Sequence, residues 1–120
     1  MTTAQWRTEA ESYQPLTRPI LFTHVTTGDV AENAVTLAGR MSECVKLSFV
    51  VELPTGSTSV GAYVNFDATA VIGTSANRDG MFVPANSGYF EENIFVSTRI
   101  SVITATAGQN VRIRGALWGR

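Results

Sequence analysis

The run Cys44-Val45-Lys46-Leu47-Ser48-Phe49-Val50-Val51-Glu52-Leu53 decides the fold. Val45, Leu47, Phe49, Val51 and Leu53 fall on one side of an extended chain, while Cys44, Lys46, Ser48, Val50 and Glu52 fall on the other. One side is therefore wholly apolar, as a strand covering a core requires. Ser59 to Asp67 repeats the pattern, with Val60, Ala62, Val64 and Phe66 directed inward against Gly61, Tyr63, Asn65 and Asp67. Between the two runs, Pro54-Thr55-Gly56-Ser57 is turn chemistry, so the pair predicts a hairpin.

Working outward, further strands are expected at Leu21–Thr26, Val35–Ala38, Ala68–Gly73, Gly88–Val96, Arg99–Thr104 and Asn110–Trp118. Thr27-Gly28-Asp29, Asn77-Arg78-Asp79-Gly80 and Ala107-Gly108-Gln109-Asn110 separate them, each offering residues that tolerate positive φ or cap locally. Asp29 to Met41 carries a competing signal, because Asp29 and Glu32 have the spacing of a helix capping box. Short strands at this spacing predict an all-β fold, an antiparallel β-sandwich of jelly-roll-like form. Residues 1–19 differ from the rest: they are polar, contain Pro15 and Pro19, and have Trp6, Tyr13 and Leu16 as their large apolar groups. They read as an extended N-terminal arm ahead of a sandwich domain over 20–120.

A single domain of 120 residues can bury roughly two-thirds of the surface its unfolded chain exposes, enough for a core without disulfides. Cys44 is the lone cysteine, which excludes an internal disulfide and a multi-cysteine metal site and suits synthesis in a reducing cytoplasm. The start of the chain lacks a basic region followed by an apolar core, so neither signal peptide nor membrane anchor is expected. A formal net charge of -1 supplies no field that would draw the protein to nucleic acid or an anionic membrane. Every basic residue except Lys46 is arginine, a skew that suits planar interface contacts or else reflects genome composition.

The residues that could carry chemistry are few. His24 is the lone histidine and alternates with Ile20 and Phe22, which fits a hydrogen-bonded structural residue better than a metal ligand. No Gly-x-Ser-x-Gly, cysteine-protease or phosphate-loop signature occurs. Asp67, Asp79, Glu91 and Glu92 are the carboxylates available for glycoside cleavage, yet Glu91 and Glu92 are adjacent and would point to opposite faces of a strand. No catalytic residue, cofactor or metal is therefore expected. Arg112, Arg114 and Trp118 share one side of the last strand, as interface anchors or as an ordinary solvated face.

Val83-Pro84-Ala85-Asn86-Ser87-Gly88-Tyr89-Phe90, then Thr98 to Ile103 and Ala107 to Gly115, resemble small β-sandwich accessory proteins of tailed bacteriophage particles, of the capsid decoration or head and tail fibre type. The likeness covers about the last forty residues and lies in the style of the hairpins rather than in a diagnostic motif. It implies a non-enzymatic structural protein of the virion, made in the host cytoplasm, whose partners are copies of itself and other virion proteins such as a capsid shell. Trp6, Tyr13, Arg112, Arg114 and Trp118 are the expected protein contacts. The alternative is a carbohydrate- or receptor-binding module of a fibre or adhesin, with a glycan as its partner.

Overall fold

A computed structural model describes residues 18–73, 81–105 and 109–120. The expected arm lies almost wholly outside these residues, as do Trp6 and Tyr13. Eight strands are present: β1 (Ile20–Val25), β2 (Glu32–Thr36), β3 (Cys44–Glu52), β4 (Gly61–Phe66), β5 (Met81–Pro84), β6 (Ser87–Glu91), β7 (Arg99–Ile103) and β8 (Arg112–Gly119). They form two antiparallel four-stranded sheets, ordered β1-β8-β3-β6 and β2-β7-β4-β5. The described residues are all-β, a sandwich as their alternation requires.

The pairs β1–β8, β2–β7, β3–β6 and β4–β5 are nested one inside the next. The chain thus runs out and back as one ribbon, and the further pairings β3–β8 and β4–β7 close that ribbon into two sheets. Between them lie the inward residues of the strands, among them Phe22 from β1, Val35 from β2, Leu47, Phe49 and Val51 from β3, Val64 from β4, Val83 from β5, Ile100 and Val102 from β7, and Ile113 and Leu117 from β8. Tyr89 joins the sheets, its ring 5.7 Å from that of Phe49 and 6.1 Å from that of Phe66. Gly115 sits opposite both Phe22 and Phe49, and a Cβ there would lie 2.7 Å from Phe49 Cα. The missing side chain is what lets β8 run between two aromatic neighbours.

The expected hairpin between Cys44–Leu53 and Ser59–Asp67 does not form, because β3 and β4 belong to opposite sheets. Period-two patterning specifies which side of each strand is buried but not which strand is its neighbour, and the Pro54–Ser57 turn carries the chain across the sandwich. Val60 is 70% exposed rather than inward, since the strand begins only at Gly61. Cys44 is fully buried although alternation puts it outside: the ladder with β8 shifts register between Cys44 and Lys46, and this bulge turns Cys44 toward the core.

Asp29–Met41 contains β2 and a turn over residues 38–40, not a helix. Here Glu32 accepts from Thr27 rather than capping forward, so the acidic residue closes a corner. Ala68–Gly73 is not a strand but a segment laid over the second sheet, while the strand Met81–Pro84 lacks a run long enough to show alternation. The strand expected to reach Val96 ends at Glu91, and Val96 makes an isolated bridge to Cys44. The separator 77–80 lies outside the described residues.

Candidate interaction surface

Register places the outward residues of the first sheet in rows. Leu21, Ala116, Ser48 and Phe90 lie side by side across β1, β8, β3 and β6. Thr23, Arg114, Val50 and Gly88 form the next row, and Val25, Arg112 and Glu52 the one after it. Trp118 and Lys46 stand opposite each other on β8 and β3 at the other end. Lys46 Nζ is 4.9 Å from the Trp118 ring centroid and 6.0 Å from that of Phe90, so the ammonium bridges two aromatic faces from different strands. Such a contact contributes about 0.5–1 kcal/mol at an exposed site. Leu21 is 73% and Phe90 55% exposed.

Arg114 stands in the middle of this face. Its Nε and Nη2 donate to the two Glu52 carboxylate oxygens at 3.1 and 3.0 Å, a two-pronged bond that fixes the guanidinium plane. Shallow grooves flank it, one of about 350 Å³ against Val50, Asn86, Ser87 and Gly88, the other of about 330 Å³ against Leu21 and Thr23. Arg112 is half-buried, and its Nε has no hydrogen-bond partner among the described residues. Arg112, Arg114 and Trp118 thus share one face as alternation requires. Trp6 and Tyr13 fall outside the described residues.

Lys46, Phe90 and Leu21 are the members of this face that the sequence reading passed over. Each was legible as an outward position of its own strand, but their proximity depends on β1, β8, β3 and β6 being neighbours.

His24, Glu32, Asp67, Glu91 and Cys44 are tied into the fold. His24 Nε2 lies 3.1 Å from Glu32 Oε1, and the other Glu32 oxygen accepts from Thr27 N–H and Oγ1–H. Burial alone would raise the Glu32 carboxyl, but these bonds hold it below the usual range. Asp67 is in the left-handed region at φ 60, and its carboxylate accepts from the amides of Ser97, Thr98 and Arg99 and from the Ser97 and Thr98 hydroxyls. Burial opposes ionisation there too, and the amide bonds outweigh it, so the carboxyl is held low. Glu91 accepts from the amides of Glu92 and Asn93. Glu91 serves as a local cap, Asp67 clasps the distant segment 97–99, and Asp79 lies outside the described residues. Burial pushes the Cys44 thiol up, and its S–H donates to the Lys46 carbonyl; a buried thiol with raised pKa is a poor nucleophile.

No family model, curated protein or solved structure matches this chain.

Proposed function

We propose that this protein is a non-enzymatic structural component that works by protein–protein contact, with the outward face of β1-β8-β3-β6 as its contact surface. The observation that carries this is the cluster of Lys46 between Trp118 and Phe90, beside exposed Leu21 and the braced Arg114. Aromatic and arginine anchors with apolar neighbours are the composition of interface centres, and charged rims surround them. Trp118 and Phe90 contribute rigid area at little entropic cost, and Glu52 holds Arg114 before any partner arrives.

The finer form of the proposal is an accessory protein of a bacteriophage particle, present in many copies and bound to its sisters or to a capsid shell. The nested strand pairing supports it, because a jelly roll, an architecture common in viral capsid and lectin domains, would nest its strand pairs in this way. That support is an analogy of fold, joined to the hairpin resemblance over the last forty residues. The test is to probe density-gradient-purified particles from the source culture with an antibody against this chain. Co-migration with intact particles is expected, and Lys46→Glu combined with Trp118→Ala should release the protein from them while its circular dichroism stays unchanged. Particles free of the protein would end the virion assignment, and a double variant that stays bound would end the assignment of the face.

A further inference from the structure

Each sheet of the sandwich has two edge strands, β1 and β6 in the first and β2 and β5 in the second. An edge strand presents unpaired amides and carbonyls, and stable monomers blunt such edges with short length, proline, charge or a bulge. Three of the four are blunted here. β2 is broken by a register shift between Asn33 and Val35. β5 has four residues and ends at Pro84. β6 has five residues and runs into Glu91 and Glu92.

β1 is the exception. It is the longest of the four at six residues, its ladder with β8 has no register shift, and Ile20-Leu21-Phe22-Thr23-His24-Val25 contains neither proline nor a carboxylate or lysine. The direction of its free groups follows from one bond beyond its end: Thr26 N–H donates to Val111 O at 2.9 Å. Backbone groups alternate sides along an antiparallel strand, so Ile20, Phe22 and His24 face β8 while Leu21, Thr23 and Val25 present their amides and carbonyls to the open edge.

We infer that β1 pairs antiparallel with β1 of a second copy, about a twofold axis at Thr23, which joins two first sheets into one continuous sheet. This rests on the contact-protein proposal only in holding that copies of the chain meet. The strand complements itself in that register. Leu21 of one copy falls opposite Val25 of the other on the outward face, so two exposed apolar side chains cover each other. Thr23 meets its own copy, and each facing pair of edge residues exchanges two backbone bonds. Arg18 precedes the strand and Asp29 follows it, both exposed, so reversing one copy brings unlike charges toward each other at both ends. A parallel pairing would set like charges together. The interface is isologous and closes as a dimer, because each β1 is then used up.

Light scattering at micromolar concentration tests this. The wild-type chain is expected at about twice its 12.9 kDa mass. Thr23→Pro removes an amide that faces outward, so it should return the protein to monomer mass with unchanged circular dichroism. Thr23→Cys should crosslink to itself on oxidation, since facing residues lie within disulfide reach. Leu21→Cys, displaced along the strand from its own copy, should not crosslink. Monomer mass for the wild type up to millimolar concentration, or a dimer that survives Thr23→Pro, overturns the pairing. A dimer that Trp118→Ala abolishes and Thr23→Pro leaves intact would also overturn it, while sustaining the sheet face as the contact surface.

Discussion

The two sheets of this sandwich are matched in strand number and opposite in what lies on their outer sides. The first sheet leaves Leu21, Phe90, Lys46 and Trp118 open or half-open. The second is roofed by its own chain. Ala70 N–H donates to Ser101 Oγ, and Ser101, Ile103 and Ala70 are buried although Ser101 and Ile103 point away from the main core. Asp67 fastens the start of this roof to residues 97–99, and Arg99 ties it down by donating to Thr69 Oγ1. The same ladder therefore yields two surfaces, and a covering segment of a few residues decides which one is left open.

Matched substitutions on the two outer faces give the sharpest test. Ile103→Asp puts a carboxylate on the outer side of the second sheet, where Ile103 is 8% exposed, and should cost about 3–5 kcal/mol in denaturant unfolding. Leu21→Asp on the open face, measured in the monomeric Thr23→Pro background, should cost about 0.5 kcal/mol or less. Equal costs would show that the two faces are not distinct.

Ser101→Ala should cost about 1–3 kcal/mol by stranding the buried Ala70 amide, and proteolysis within 67–73 should quicken with it. A neutral result would mean that the roof does not depend on this bond.

Within the second sheet and its roof, the smallest effect belongs to Asp67. Because its carboxyl is held below the usual range in the folded state, the stability it adds is complete above the ordinary carboxylate pKa of about 4 and is lost as pH falls through the lower folded value. Asn tolerates the left-handed backbone at this position. Asp67→Asn should therefore lower the melting temperature near neutral pH and flatten its fall between about pH 5 and 3. Solvent screening keeps the difference to about 1 kcal/mol or less. Parallel acid profiles for the two proteins would remove Asp67 as the clasp.

Much of the first sheet was legible because its strands are long. Nine residues of β3 show alternation over several periods, and β8 carries Arg112, Arg114 and Trp118 in register. The second sheet was harder. Four residues in β5 give no pattern, and Val71 and Ile72 in the roof look as apolar as a strand while making no ladder. The expected contacts Trp6 and Tyr13 lie outside the described residues.

Taken alone, the order of side chains determined that this chain forms strands, which side of the longer strands is greasy over most of their length, and that reactive groups are scarce. These follow from local geometry, since the side-chain period along an extended backbone is set by the residue itself. Tertiary structure decided that Pro54–Ser57 crosses between sheets, that Lys46, Phe90 and Trp118 meet, and that β1 is an open edge among the described residues. Each of those depends on which distant strands become neighbours, and alternation is the same whichever partner is chosen.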